Sequence, residues 1–135
     1  MNKYYNNGNL KFEGEYLNGK RNGKGKEYYK NSKIKFDGEY LYNKKWNGKG
    51  YNENLNIIYE LINGTGIVKE YYDGQLEFEG EYLNGKRNAK GKEYDYDGRL
   101  EFEGEYINGE RNGKGKEYYK NGKLKFEGEY KNNKK

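Results

Sequence analysis

Hydrophobic and polar positions alternate with a period of two inside a seven-residue phrase that returns along the whole chain. The phrase reads Leu or Ile, a charged residue, Phe, an acidic residue, Gly, Glu and Tyr. Copies begin at Leu10, Ile34, Leu76, Leu100 and Leu124, and a divergent copy begins at Ile57. Alternation of this kind is typical of a β-strand with one covered face. Each copy is therefore predicted to be a strand with Phe, Gly and Tyr on one face and charged residues on the other.

A second strand is predicted after each copy of the phrase. Residues 18–22, Asn-Gly-Lys-Arg-Asn, tolerate the positive φ of a turn, and residues 23–29, Gly-Lys-Gly-Lys-Glu-Tyr-Tyr, have strand character. The phrase recurs at steps of 24, 23, 19, 24 and 24 residues, a spacing that is typical of repeat proteins. The sequence therefore predicts an all-β array of hairpins that pair edge to edge.

The array is predicted to be a single domain over residues 1–135, with an irregular, shortened unit around residues 42–70. The turn at residues 42–47 is one residue longer than its equivalents and carries the only tryptophan, Trp46. Asn63-Gly64, flanked by aliphatic residues, is a strong type I′ hairpin signal. We expect a local kink or a change of twist here instead of a domain boundary.

Composition alone is ambiguous about whether the chain folds. Only 31% of residues are hydrophobic and 36% are charged, which is typical of disordered segments. Aromatic residues reach 18%, however, and they recur at a fixed period. We therefore expect a folded chain with an interior of Tyr and Phe. No signal-peptide pattern or apolar run of membrane-spanning length is present, so the expected location is cytoplasmic, with a peripheral membrane association left open.

The residue inventory argues against catalysis. The chain has no His, no Cys, one Ser and one Thr, so schemes that pair a nucleophile with a base lack their components. Carboxylate pairs such as Glu13 and Glu15 are explained by the solvated positions of an alternating strand. We expect no enzyme activity, no cofactor and no metal site.

Cations near the predicted turns are the first candidate binding residues. Neighbouring strands lie about 4.8 Å apart, so equivalent turn residues would repeat every ~10 Å along one edge. The candidates for contact with an anionic lipid or an acidic partner are Lys20, Arg21, Lys24, Lys86, Arg87, Lys90, Arg111 and Lys114. The alternative is a rim that only keeps the protein soluble, and Glu110 in one turn favours that alternative.

The aromatic face of the strands is the second candidate, because a one-layer sheet has no second layer to cover it. Its members are Phe12, Tyr16, Phe36, Tyr40, Phe78, Tyr82, Phe102, Tyr106 and Phe126. These residues either meet a partner or pack against their neighbours within the array. Trp46 is a candidate membrane or partner anchor, or a cover for the irregular unit.

The segment at residues 118–130, Tyr-Tyr-Lys-Asn-Gly-Lys-Leu-Lys-Phe-Glu-Gly-Glu-Tyr, and the turn phrase at residues 18–25 resemble MORN repeats (membrane occupation and recognition nexus). The closest resemblance is to the variant subclass, and it covers nearly the whole chain. It implies an elongated, single-layer antiparallel sheet of about five to six stacked hairpins. It also implies a non-catalytic adaptor, scaffold or dimerisation role, with contacts to acidic phospholipids proposed for the family.

These observations rank the functional hypotheses. Binding of a protein partner or self-association comes first, and peripheral binding of acidic phospholipid through basic turns is the alternative. Nucleic-acid binding is third, since the many Glu residues on the same strands would repel phosphate. No small-molecule substrate is expected.

Overall fold

The computed structural model describes residues 2–72 and 74–135, and those residues form β-strands joined by turns. The strands are β1 Lys3–Tyr4, β2 Leu10–Leu17, β3 Lys20–Tyr28, β4 Ile34–Leu41, β5 Lys44–Tyr51, β6 Ile57–Leu61, β7 Gly66–Tyr72, β8 Gln75–Leu83, β9 Lys86–Tyr94, β10 Leu100–Ile107, β11 Glu110–Tyr118 and β12 Leu124–Tyr130. Every complete copy of the phrase lies in a strand, so the predicted all-β hairpin fold is confirmed.

The strands pair into two open antiparallel sheets of six, in the orders β1 to β6 and β12 to β7. The chain correspondingly divides into unit 1, Met1–Gly66, and unit 2, Ile67–Lys135. In each sheet neighbours in sequence are also neighbours in space, as expected for stacked hairpins. The sequence predicts one continuous array through this region, and that remains a prediction.

The hairpin turns are shorter than the sequence suggested. Asn18 and Gly19 have φ values of 51° and 77°, which is the type I′ geometry of a two-residue turn. Strand β3 therefore begins at Lys20, and Arg21 lies within a strand instead of in a five-residue link. Asn84-Gly85 and Asn108-Gly109 form turns of the same kind.

The expectation that the turn at residues 42–47 is one residue longer than its equivalents is wrong. The turn between β4 and β5 consists of Tyr42 and Asn43, both with positive φ. Glu39 pairs with Asn47 and Tyr40 pairs with Lys45, which leaves Trp46 unpaired between them. A β-bulge is present at the same place in the other long hairpins, but here it is one residue shorter, since Gly38 and Gly48 pair across ten residues whereas Gly14 and Gly25 pair across eleven.

The interior consists of aromatic rings that lie along one face of each sheet. The side chains of Phe12, Phe36, Phe78 and Phe102 have no exposed surface. Phe12 makes edge-to-face contacts with Tyr16 in its own strand and with Tyr40 in the next hairpin, at centroid distances of 5.7 and 5.3 Å. Such pairs stabilise beyond their buried area, so each repeat is joined to the next by aromatic contacts.

Candidate binding surfaces

Glycines make room for each phenylalanine ring on the aromatic face. Gly14 and Gly25 are cross-strand partners, and the ring of Phe12 lies over both. A Cβ atom on Gly25 would be 2.9 Å from ring atoms of Phe12 and of Tyr40. Because real Cβ contacts do not come so close, a side chain there would displace the ring. The same contacts recur in unit 2.

An arginine covers the exposed side of each of three phenylalanine rings. The guanidinium carbon lies 3.9 to 4.0 Å from the ring centroid, a close cation–π arrangement. The pairs are Arg21 with Phe12, Arg87 with Phe78, and Arg111 with Phe102. The single-layer sheet therefore supplies its own cover for the rings.

Carboxylates hold these arginines in place. Arg111 donates to Glu93 through Nε at 2.9 Å and Nη2 at 3.1 Å, and through Nη1 to Glu117 at 3.2 Å. The hydroxyl of Tyr106 also donates to Glu93. Burial by itself would raise the pKa of Glu93, but the hydrogen bonds from Arg111 and Tyr106 outweigh it and lower that pKa. Burial and the same hydrogen bond raise the pKa of Tyr106.

Unit 1 has a lysine at the position of the covering cation in its second hairpin. Lys45 lies 5.2 Å from the centroid of Phe36, and its Nζ lies 3.1 Å from Glu27. Arg21 Nη1 donates to the other oxygen of Glu27 at 2.7 Å. Burial would raise the pKa of Glu27, but the charge of Lys45, with those of Lys35 and Arg21, outweighs it and lowers that pKa to about 2.

The predicted ladder of cations thus falls into two groups. The three arginines lie on the aromatic face in ion pairs, and their side chains are only 20 to 25% exposed. The exposed members are Lys20, Lys24, Lys86, Lys90 and Lys114. Sequence reasoning missed the arginine–glutamate pairs, although Arg21 and Glu27 are six residues apart on one strand, an even spacing that favours one face.

The aromatic face itself is largely closed by the packing of the array. Besides the four phenylalanines, Tyr40 and Tyr106 are buried, with 4% and 2% of their surface exposed. Tyr16, Tyr82 and Phe126 are half-buried and lie on or beside terminal strands of their sheets. This burial favours packing between repeats over an open partner surface for these residues. Trp46 is half-buried, and its carbonyl oxygen accepts a hydrogen bond from Gly64.

The opposite face of unit 2 carries an open hollow of about 990 Å³, which we call the charged trough. Two rows of side chains run across strands β8 to β12, separated by a strip of bare glycine backbone. One row is Glu79, Lys92, Glu103, Lys116 and Glu127, and the other is Glu81, Lys90, Glu105, Lys114 and Glu129. The sign of the charge changes at every strand. Ile67 of β7, 70% exposed, lies at one end.

In the charged trough, the lysine side chains make fewer ion pairs and hydrogen bonds than the glutamate side chains do. In unit 2 as described, Lys116 makes an ion pair with Glu127 at 3.8 Å, and no ion pair is found for Lys90, Lys92 or Lys114. The glutamates opposite them are held by other groups. Glu79 and Glu103 accept from the hydroxyls of Tyr94 and Tyr118, and Glu81 and Glu105 accept from the backbone N–H groups of Lys90 and Lys114.

Unit 1 has a smaller hollow on the corresponding face. Its volume is about 550 Å³. It is lined by Asn2, Glu13, Gly14, Glu15, Lys24, Gly25, Lys26, Asp37, Gly38 and Glu39. Its lining alternates between acidic and basic strands over three strands, and one of the two rows continues through Lys49 and Glu60.

Three hairpin tips combine a leucine with a lysine, whereas at the tip between β10 and β11 Ile107 pairs with Glu110. Leu17 pairs with Lys20 and Leu83 pairs with Lys86 across their two-residue turns. The leucines are 45% and 47% exposed. Within residues 2–72 and 74–135 there is no group of acidic or other ligating side chains that could hold a metal ion, and no helix with the length and apolar character needed to cross a bilayer.

Comparison with known protein families identifies the repeats. The MORN repeat matches residues 12–33 and 78–98, and the MORN repeat variant matches residues 1–18 and 111–132. A comparison with curated proteins finds no match. The matched segments together cover more than half of the chain, and both sheets consist of antiparallel hairpins. The chain therefore belongs to the MORN repeat family.

Proposed function

We propose that the chain is a non-catalytic module that binds another protein, and that the charged trough of unit 2 is the surface that does so. The observation that carries the proposal is the trough itself. It is an open hollow across five strands, with charged side chains on both sides and backbone on its floor. An open surface of this length suits a polypeptide better than a small molecule, which is normally enclosed in a concave, mostly apolar pocket.

Electrostatics support the same assignment. Among the described residues of unit 2 no ion pair is found for Lys90, Lys92 or Lys114, so a partner carboxylate could reach these lysines without breaking such a pair. The Glu columns on either side would repel a uniformly anionic partner. A protein segment with both signs of charge matches this surface better than a nucleic acid or an anionic lipid sheet does.

A displayed peptide library panned on the full-length chain tests the proposal. Selected peptides should bind the wild type and lose binding to a variant with Lys90, Lys92, Lys114 and Lys116 changed to Glu. The matched control changes four exposed lysines of the same unit outside the trough, Lys120, Lys123, Lys131 and Lys134, to Glu. Selection of no peptide, or equal binding to both variants, would overturn the proposal.

Peripheral binding to acidic phospholipid is the second candidate, and the hairpin tips favour it. An exposed leucine beside a lysine can insert its side chain into the interface while the cation contacts phosphate. We expect pelleting with acidic vesicles at low salt, release at high salt, and loss of pelleting when Lys20 and Lys86 are changed to Ala. The arginines are left intact in this test because they cover the phenylalanine rings. Absence of pelleting with acidic vesicles would exclude this candidate.

A further inference from the structure

The charged trough has a sign pattern that is specific enough to describe its partner. From one end to the other, it presents an aliphatic side chain at β7, carboxylates at β8, ammonium groups at β9, carboxylates at β10, ammonium groups at β11 and carboxylates at β12. Both rows follow the same order, because residues of equal sign lie two apart on each strand. A complementary partner must therefore change sign at each strand spacing.

The strand spacing selects the secondary structure of that partner. Neighbouring strands are separated by about 4.8 Å. An α-helix lying across the strands brings a new set of side chains to the surface every turn, about 5.4 Å. Over four strand intervals the mismatch is only about 2.4 Å, which flexible Lys and Glu side chains or a tilt of the helix can absorb.

An extended partner does not match. A β-strand presents side chains to one face every ~6.7 Å, so after two such steps it would be almost one column out of register. Like charges would then meet. The helix is the regular element whose repeat follows the columns.

The floor of the trough also suits a helix. At the glycine positions the strands present only backbone to this face, while the long side chains of the two rows stand on both sides. A helix over the glycine strip can extend side chains toward both rows. Residues 2–72 and 74–135 contain no helix, so a second copy of these residues does not supply one.

We propose that the charged trough binds an α-helix of a partner protein whose trough-facing side chains alternate in sign from turn to turn. Starting from an aliphatic residue over Ile67, the helix has basic residues over Glu79 and Glu81, then acidic, basic, acidic and basic turns over β9 to β12. This inference rests on the proposed function, because it describes the partner of the same surface.

Two synthetic helical peptides of about 22 residues, or six turns, test it. One has the alternating pattern with the terminal aliphatic residue; the other has the same composition with its acidic and basic turns grouped in blocks. Circular dichroism confirms equal helicity, and fluorescence anisotropy at low salt measures binding to the full-length chain. We expect the alternating peptide to bind at least tenfold more tightly than the blocked one.

Exchanging charges between the chain and the peptide tests which turn of the helix lies over which strand. Changing Lys114 and Lys116 to Glu should weaken the alternating peptide at least tenfold, and a peptide whose turn over β11 is basic should recover that loss. The proposed helical partner is refuted if the two peptides bind with equal affinity, or if neither binds. It is also refuted if the exchanged peptide does not recover binding. If panning nevertheless selects trough-dependent peptides that are extended or do not alternate, the helix is wrong and the proposed function stands.

Discussion

The two units build their interiors from the same phrase, yet they cover their phenylalanine rings differently. In unit 2, Arg87 and Arg111 lie over successive rings and are held by Glu70 and Glu93 of the preceding strands. In unit 1, Lys45 takes that position over Phe36. The packing of Phe36 against its neighbouring ring, Tyr59, also differs.

The cause lies in the carboxylates opposite the rings. Glu117 is the cross-strand partner of Phe102, whereas Gly50 is the partner of Phe36. Lys45 pairs with Glu27 of the preceding hairpin, as Arg111 does with Glu93, but Gly50 provides no counterpart of the second carboxylate, Glu117, that also pairs with Arg111. Phe36 and Tyr59 are stacked with an interplanar angle of 21°, where the corresponding ring pairs are edge-to-face. The comparison teaches that the arginine and its two glutamates act together. Where one carboxylate is replaced by Gly50, a lysine covers the ring and the neighbouring rings stack instead of meeting edge to face.

Removing a phenylalanine ring should lower the free energy of unfolding more than the other substitutions do. The size of the loss should depend on where the ring lies in the array. Phe102→Ala is expected to destabilise the fold by about 3–5 kcal/mol, since it leaves a cavity between Arg111 and the glycine floor. Phe126→Ala should cost less than half of that, because Phe126 lies in the terminal strand and is only partly buried. Urea unfolding followed by circular dichroism measures both. Equal losses would mean that the fully buried ring of Phe102 contributes no more to stability than the partly buried ring of Phe126.

Acid should weaken unit 1 through Glu27. The folded-state pKa of Glu27 is about 2, below the ordinary value of 4.5, so its contribution is present above pH 4.5 and is lost as the pH falls toward 2. The shift corresponds to roughly 3 kcal/mol at neutral pH. Glu27→Gln should therefore be less stable than wild type at pH 7, with the difference shrinking to near zero at about pH 2. A difference in free energy of unfolding that is constant between pH 6 and pH 2 would contradict this assignment.

Replacing an arginine of unit 2 by the lysine of unit 1 sharpens the comparison. Arg111→Lys keeps the charge but loses the two parallel hydrogen bonds to Glu93 and the planar stacking on Phe102. We expect a loss of about 1–2 kcal/mol in the free energy of unfolding. A double-mutant cycle with Glu93→Gln isolates the interaction. A coupling energy near zero would show that the loss does not arise from the hydrogen bonds to Glu93, and unchanged stability of Arg111→Lys would show that Arg and Lys are interchangeable on the ring.

The smallest expected effect is a gain in stability. Ala89 has a φ of 63°, whereas glycine occupies the equivalent position in other hairpins, as at Gly113 with a φ of 98°. A left-handed conformation strains alanine, so Ala89→Gly should stabilise unit 2 by about 0.5–1 kcal/mol, measured by thermal unfolding. Gly113→Ala is the matched control and should destabilise. A loss of stability for Ala89→Gly would refute the strain argument.

Much of the fold could be predicted because its signals are local. Period-two alternation places Phe12 and Tyr16 on one face wherever the strand lies, and Asn-Gly dipeptides indicate turns. The fate of Arg21 could not be predicted in the same way. Five consecutive polar residues after Leu17 are compatible with either a long link or a two-residue turn followed by a strand. Only the tight turn brings Arg21 back over Phe12.

The candidate site shows the same division. Candidate cations such as Lys90 and Lys114 were identified from sequence as exposed residues, but as members of a basic edge. The register of β8 to β12 places them instead between columns of Glu, on the face opposite the arginines. Charge counts along a chain do not reveal which charges become neighbours across strands.

The sequence by itself determined the family, the hairpin repeat and the aromatic composition of the interior, because these follow from a local pattern that is repeated many times. The tertiary structure decided which cations lie in ion pairs over the phenylalanine rings and which lie on the opposite face, because that depends on turn length, bulges and cross-strand register. A shift of one residue would reverse the face of every side chain in a strand. The same register that places Arg111 over Phe102 leaves Lys114 at the surface of the charged trough.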